Sequence, residues 1–128
     1  MISIVIATII AMESSGNPMA FNRATEARGL MQITPVVLSD YNKRNHANLS
    51  HSQLFSESIN KHVGTWYLTV RIPELLQAKH KPVTLENVLI CWCQGIKHVS
   101  KPSKQAKAYI KRYAELTKGN PKHESTNR

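Results

Sequence analysis

The stretch that is most informative about the fold is residues 2–18, ISIVIATIIAMESSGNP. Eleven uncharged residues, most of them apolar, lead into a lone carboxylate at Glu13. The length of the run and the stop signals Gly16 and Pro18 favour a helix that ends near Ser15, although its β-branched residues also fit a strand. Because the run is apolar on nearly every side, we predict a helix buried in the core, with Glu13 in its last turn.

Glu13 stands in a position that is unfavourable for a charged carboxylate. It faces the negative end of the helix dipole, and apolar neighbours exclude water from it. Both effects favour the protonated form, so the sequence predicts a raised pKa for Glu13. A carboxylic acid that stays protonated near neutral pH can protonate a glycosidic oxygen. Position alone favours the simpler interpretation, an ordinary surface acid at a helix end.

Capping residues and apolar spacing predict further helices along the rest of the chain. Their caps or first residues are Thr34 (followed by Pro35), Ser56, Pro73, Thr84 and Ser103. The last helix is expected to bury Ala106, Tyr109, Ile110, Tyr113 and Leu116 and to stop at Gly119. Residues 16–33 read as a loop, and no convincing pair of alternating strands is seen. The predicted fold class is mainly α, with little or no β-sheet.

Chain length limits the number of domains, and net charge indicates the class of partner. The 128 residues suit one domain, which we place at 1–118, followed by a polar tail at 119–128. The formal net charge is +9, and nine Lys and Arg against two Glu follow from Lys97 onward. Such a surface favours polyanions such as nucleic acid, acidic lipid or cell wall. Alternatively, these residues only solvate the outer face of a C-terminal helix.

Neither a disulfide framework nor a metal site is predicted. Cys91 and Cys93 would point to different faces of a helix, and together with His98 they still lack a fourth metal ligand. We expect no cofactor. The N-terminal run lacks the basic start of a signal peptide and is too short to span a bilayer, so no export signal and no stable membrane insertion are expected.

Two short blocks in fixed order resemble the soluble lytic transglycosylase family, whose members have a lysozyme-like fold. The first is Glu13-Ser14 with Pro18, and the second is Gly-Leu-Met-Gln at residues 29–32. The spacing is one residue longer than is usual in the family. Three weaker blocks follow in the expected order: Asn60, Gly64, Tyr67 and Leu68, then ICWCQGIKHV, then KQAKAYIKRY. The resemblance covers most of the chain, from Glu13 to Tyr113.

The resemblance implies cleavage of the β-1,4 bond between N-acetylmuramic acid and N-acetylglucosamine in peptidoglycan. The muramic acid 6-hydroxyl, rather than water, attacks C1 and leaves a 1,6-anhydro end. A single glutamate acts first as acid and then as base, and by position it is Glu13. No second acid accompanies Glu13 in a matched block, although Glu26 and Asp40 could approach it in space.

Other site roles are carried over from the family by position alone. The expected substrate-binding residues are Asn22, Gln32, Thr34, Trp92, Gln105 and Tyr109. Gln32 could bind the sugar, orient Glu13 or only satisfy local backbone, and Thr34 could be only a helix cap. Met31 is expected in the core. Trp92 and Cys93 replace the family's usual Tyr-Asn pair, and Gln105 stands where relatives often have Glu.

Three functions remain in competition at this stage. The favoured one is a lytic transglycosylase, acting as a monomer on the wall in phage-type lysis (an endolysin) or wall penetration. A holin, a virion or a secretion apparatus would deliver it from the cytoplasm. The second is a goose-type lysozyme-like muramidase that uses water. The third is a non-enzymatic basic module that binds nucleic acid or the wall. The favoured function, in contrast, involves no nucleic acid.

Overall fold

A computed structural model describes residues 2–118 of the chain. Helices dominate these residues, which confirms the predicted mainly α fold class with little sheet. In chain order the elements are α1 (Ile2–Ser14), β1 (Phe21–Asn22), β2 (Ala27–Arg28), α2 (Pro35–Asn45), a 3-10 turn (His51–Phe55), α3 (Glu57–Trp66), a π-helical segment (Tyr67–Arg71), α4 (Ile72–Ala78), α5 (Leu85–Gln94), a second 3-10 turn (Ile96–His98) and α6 (Lys104–Lys118). The chain forms two compact units, residues 2–67 and the described residues from 68 onward.

The first helix forms as predicted, but the prediction that it is buried on all sides is wrong. Val5 and Ile9 are its buried residues, one turn apart on one face. The opposite face carries Ser3, Ala7 and Ala11, which are exposed and spaced four residues apart. Small residues at that spacing present little apolar area, so exposing them costs little. The helix therefore packs through a single face.

Capping side chains begin the next helices where the sequence predicts them. The Oγ1 of Thr34 accepts the Val37 N–H at the start of α2, and Ser56 Oγ accepts the Ile59 N–H at the start of α3. Thr84 Oγ1 does the same for Asn87 at the start of α5. Each cap satisfies a backbone donor that the first helical turn leaves without a partner.

Residues 16–33 hold more structure than the loop predicted for them. β1 and β2 pair antiparallel as a short hairpin, and Arg28 is bridged to Ile33 beyond it. The strands have two residues each, too short for alternation to appear in the sequence. Asn22 closes the hairpin, since its Oδ1 accepts the N–H groups of Ala24 and Thr25 at 2.9 and 3.3 Å.

The unit formed by the later residues packs α5 against α6, and α4 also contacts α5. The start of α5 faces the second half of α6, while Gln94 at the end of α5 bonds Gln105 near the start of α6, so the two helices run antiparallel. Ser103 caps α6 through the Ala106 N–H.

Burial along α6 follows the prediction only in part. Ala106 and Tyr113 are buried as predicted, and Tyr109 and Ile110 are half-buried. The prediction for Leu116 is wrong, because it is half exposed and Thr117 is buried in its place. Thr117 is accommodated because its hydroxyl donates to the Tyr113 carbonyl at 3.0 Å. The predicted stop at Gly119 and the tail lie outside the described residues.

Candidate active site

Glu13 lies in the last turn of α1, as the sequence predicts. It follows Ile9 by four residues and therefore shares its side of the helix. Ile9 is fully buried and Glu13 is half-buried, so the carboxylate stands at the edge of the packed face. The helix ends immediately after it, where Ser15 and Gly16 adopt left-handed backbone with φ of 54° and 81°.

A chain of backbone hydrogen bonds leads from the end of α1 to the Gly-Leu-Met-Gln block. The Asn17 N–H donates to the Ser14 carbonyl, and the Ala20 N–H donates to the Asn17 carbonyl. The Ala20 carbonyl in turn accepts the Gly29 N–H at 2.9 Å. The two blocks that carry the family resemblance are thus joined by short local turns within one compact unit.

The Gly-Leu-Met-Gln block forms a tight turn between Arg28 and Ile33, which exchange two backbone hydrogen bonds of 3.0 Å. Inside it, the Gln32 N–H donates to the Gly29 carbonyl. Gly29 and Gln32 both have positive φ, 79° and 53°. This conformation is unfavourable for a glutamine, so the surrounding structure must hold the turn in place.

Asn60 on α3 holds this turn through three hydrogen bonds to backbone. Its Oδ1 accepts the Met31 N–H at 2.8 Å, and its Nδ2 donates to the Arg28 carbonyl at 2.8 Å and the Leu54 carbonyl at 2.9 Å. Asn60 is fully buried. A buried amide with both ends satisfied fixes its partners strongly, because losing it would leave buried backbone groups unpaired.

Two glycines allow α3 and the turn to approach closely. A Cβ on Gly29 would overlap Asn60 Nδ2 and the Leu54 carbonyl oxygen. A Cβ on Gly64, one helical turn after Asn60, would overlap the Met31 sulfur. Met31 is fully buried against this surface, which confirms its predicted place in the core. The Asn-x-x-x-Gly spacing on α3 therefore places the hydrogen-bonding side chain of Asn60 and the space left by Gly64 against the turn, one helical turn apart.

The Gln32 side chain is used, at least in part, to satisfy local backbone. Its Nε2 donates to the Ala20 and Gly29 carbonyls, both at 3.1 Å. This is one of the alternatives that the sequence left open. The two bonds orient the amide and leave Oε1 as the group that could contact a ligand or Glu13.

Asn22 and Thr34 lie in the same unit as Glu13 and Gln32. Asn22 is exposed, and its Oδ1 is used in the hairpin turn, which leaves Nδ2 to reach a ligand. Thr34 is half-buried and caps α2. Helix capping explains why a threonine is present there, and a substrate contact remains a prediction.

Trp92, Gln105 and Tyr109 belong to the other unit. Trp92 is half-buried near the end of α5. Gln105 is exposed, and its Oε1 accepts the Gln94 amide at 2.9 Å. Tyr109 follows Gln105 by one turn of α6, so the two side chains are neighbours on the helix. The seven predicted site residues are thus divided between the two units.

Neither cysteine forms a disulfide within the described part of the chain, and Cys91 is buried while Cys93 is half-buried. Burial raises the pKa of Cys91 to about 11. Residues 2–118 contain no cluster of three or more His, Cys, Asp and Glu that could hold a metal ion. None of the helices among these residues is long and apolar enough to cross a bilayer.

A helical domain with a short hairpin, and a glutamate at the end of its first helix, is consistent with a lysozyme-like domain. The model of one family, described as the transglycosylase SLT domain, matches residues 3–114. The chain therefore belongs to the transglycosylase SLT domain family. Neither a curated protein nor a solved structure matches it. Family membership supports lytic transglycosylase activity on peptidoglycan.

Asn60 holds the Gly-Leu-Met-Gln turn but is absent from the predicted site residues. In the sequence it stands only in a weak family block. Its position carried a physical signal, because it lies between Ile59 and Val63 on the inward side of α3. Asparagine is a poor helix former, so its presence on a buried helical face indicates a side chain with a hydrogen-bonding role.

Proposed function

We propose that Glu13 is the catalytic acid and base of a lytic transglycosylase that leaves 1,6-anhydromuramic ends. The observation that carries the proposal is the location of Glu13 in the last turn of α1, one turn from the fully buried Ile9. A half-buried carboxyl group at a helix C-terminus is destabilised in its charged form, which favours the acid needed for the first step. The turn that holds Gln32 lies in the same compact unit.

The proposed reaction has two proton transfers and no water. Glu13 donates its proton to the glycosidic oxygen as the bond from that oxygen to muramic acid C1 breaks, which releases the N-acetylglucosamine 4-hydroxyl. The 2-acetamido group of the muramic acid stabilises the positive charge that develops at C1. The muramic acid 6-hydroxyl then bonds to C1, and its proton passes to the Glu13 carboxylate. The glutamate is restored at the end.

The surroundings of the two other acids that the sequence left open, Asp40 and Glu26, support a mechanism with one glutamate. Asp40 pairs with Arg44 on the next turn of α2, at 3.2 Å between Oδ1 and Nε. Glu26 is exposed in the hairpin turn. Most glycosidases use two carboxylates, but substrate-assisted enzymes need only one. Neither Asp40 nor Glu26 has the half-buried helix-end environment of Glu13.

A matched pair of substitutions tests the assignment. Glu13→Gln should lower the rate at which purified peptidoglycan clears by about 100- to 10,000-fold, the usual contribution of a general acid and base. Glu26→Gln changes the charge equally and should leave the rate within about twofold, because surface substitutions away from the chemistry perturb little. If Glu13→Gln clears peptidoglycan as well as wild type, Glu13 is not the catalytic acid. Binding of peptidoglycan by the wild-type protein without any clearance would favour the basic binding module.

We propose that the biological role is phage-type lysis or wall penetration. The partner is then the glycan strands of peptidoglycan, and the protein acts as a monomer. The net charge of +9 supports this role, because a cationic enzyme is attracted to an anionic wall. Expression together with a separately induced holin tests the setting. Lysis should require both the holin and Glu13, and lysis without the holin would contradict delivery through a membrane pore.

Hydrolysis by the same glutamate is the second candidate function. Trp92 and Cys93 favour it, because they stand where the family usually has a Tyr-Asn pair, and neither offers the polar groups of the residue it replaces. Loss of a contact that positions the 6-hydroxyl would allow water to attack C1 instead. The ends of the product distinguish the two reactions.

A further inference from the structure

A narrow apolar groove runs between α5 and α6, outside every residue assigned to the site. It has a volume of about 220 Å³. The residues that line it are Leu85, Glu86, Leu89, Ile110, Tyr113, Ala114 and Thr117. Leu85 is 44% exposed at its mouth, and Val83, just before α5, is 49% exposed. Exposed aliphatic side chains beside a concave apolar surface are typical of an interaction site.

A row of lysines lies beside this groove on α6. Lys104, Lys107, Lys111 and Lys118 are all exposed. Their spacing of three, four and seven residues puts them on one stripe of the helix, next to Ala114 on the groove wall. From Lys104 to Lys118 the stripe extends about 21 Å. The groove therefore has a mainly positive border along one side, which Glu115 interrupts between Lys111 and Lys118.

We propose that this groove binds an acidic amphipathic helix of a partner protein. Apolar side chains spaced three and four residues apart on the partner would enter the groove, and acidic side chains beside them would face the lysine stripe. Glu86, on the α5 wall, restricts the register, because the partner must place an uncharged or basic residue against it. The inference is independent of the proposed wall cleavage.

Charge and shape favour this occupant over the others. Residues 68–118 carry ten Lys and Arg against three Glu, so the same unit of a second copy would bring net positive charge to the stripe. A membrane is bound by protruding apolar side chains, whereas this surface is concave. Nucleic acid would use the lysines but would leave the aliphatic groove empty. A helix with apolar and acidic faces uses both features.

A designed peptide is the probe for the test. A fluorescent 18-residue peptide with leucines at helical spacing and flanking glutamates should bind the full chain, with anisotropy as the readout. A scrambled peptide of equal composition should bind at least about tenfold more weakly, because it cannot present both faces at once. Binding should shift the backbone amide signals of Leu89, Ile110 and Ala114 in NMR spectra.

Charge reversal on the chain gives a matched comparison. Lys107→Glu with Lys111→Glu should weaken peptide binding by about tenfold, because two attractive border charges become repulsive. Arg112→Glu together with Lys61→Glu reverses two charges away from the stripe and should change binding by less than about twofold. Equal weakening by both pairs, equal binding of the scrambled peptide, or amide shifts elsewhere would overturn the proposal.

Two further results would assign the groove to another occupant and so overturn the proposal. Sedimentation of the chain alone at high concentration should show monomer, and a dimer abolished by Lys107→Glu with Lys111→Glu would identify a second copy. Vesicles with anionic lipid should not compete with the peptide. Vesicle binding that depends on the same two lysines would identify a lipid surface.

Discussion

The Oδ1 of Asn60 accepts the backbone N–H of Met31 at 2.8 Å, across 29 residues of sequence. This bond joins α3 to the Gly-Leu-Met-Gln turn, and the same side chain donates to the Arg28 and Leu54 carbonyls. The turn contains Gln32 in left-handed backbone, a conformation that needs external support. Asn60 supplies that support from a fully buried position.

Replacing Asn60 should therefore destabilise the protein strongly. Asn60→Ala leaves one buried backbone N–H and two carbonyls without their partner, which should lower the free energy of unfolding by about 3 kcal/mol. Asn45→Ala removes one hydrogen bond, to the Tyr41 carbonyl, at an exposed position and should cost about 1 kcal/mol or less. Urea unfolding followed by circular dichroism measures both. Equal losses would show that Asn60 does not hold the turn.

Gly16 and Gly29 have nearly equal φ angles, so comparing alanine at the two positions measures the close packing at the turn separately from the strain of a positive φ. Gly16 and Gly29 have φ of 81° and 79°, so alanine costs about 1 kcal/mol in backbone strain at either. A Cβ meets nothing within 4 Å at Gly16 but overlaps Asn60 and Leu54 at Gly29. Gly29→Ala should therefore lower the melting temperature by much more than Gly16→Ala does. Similar decreases would contradict the close approach of α3.

The Gln32 amide should affect catalysis through the orientation of the turn. Gln32→Glu keeps the shape of the side chain but removes the N–H groups that bond the Ala20 and Gly29 carbonyls. We expect peptidoglycan clearance to fall by about tenfold or more, in the range of a lost orienting contact. Gln77→Glu on the exposed side of α4 is the control and should have no effect. A fully active Gln32→Glu protein would make that residue purely structural.

The two cysteines should differ in reactivity with pH. Burial raises the pKa of Cys91 from 9.0 to about 11, so almost none of it is thiolate at pH 8, whereas Cys93 is half-buried. Iodoacetamide at pH 8 should modify Cys93 first and leave Cys91 intact, as mass spectrometry would resolve. Faster labelling of Cys91 would contradict its burial.

The same shift affects stability in alkaline solution. A thiol whose pKa is raised by folding contributes its full stability below pH 9.0, and that contribution is lost as the pH rises toward 11. Thermal melts between pH 8 and pH 11 should show a decrease that Cys91→Ala reduces. An equally steep decrease in Cys91→Ala would assign it to other groups.

Local signals in the sequence predicted the caps and the end of α1, because Thr34, Ser56 and Thr84 act through bonds to residues three positions away. Burial was less predictable. The sequence of α1 is apolar nearly all round, yet its exposed side follows Ser3, Ala7 and Ala11, whose small size was the available signal. Thr117 is buried in place of Leu116, because its hydroxyl donates to the Tyr113 carbonyl within the same helix and so needs no water.

The candidate site was predictable to the extent that it depends on order along the chain. Glu13 and Gln32 could be named from two blocks and their spacing. The role of Asn60 could not, because its bonds to Met31 and Arg28 span 29 and 32 residues, and only the folded chain brings them together. The hairpin at residues 21–28 was missed because two-residue strands show no periodicity.

The most direct test of the central claim is mass spectrometry of peptidoglycan digested by the protein in water enriched in oxygen-18. The account predicts 1,6-anhydromuramic ends without the heavy isotope from the wild-type protein, and no such products above background from Glu13→Gln. Reducing ends that carry oxygen-18 would show hydrolysis, and anhydro products from Glu13→Gln at the wild-type rate would remove Glu13 from the chemistry.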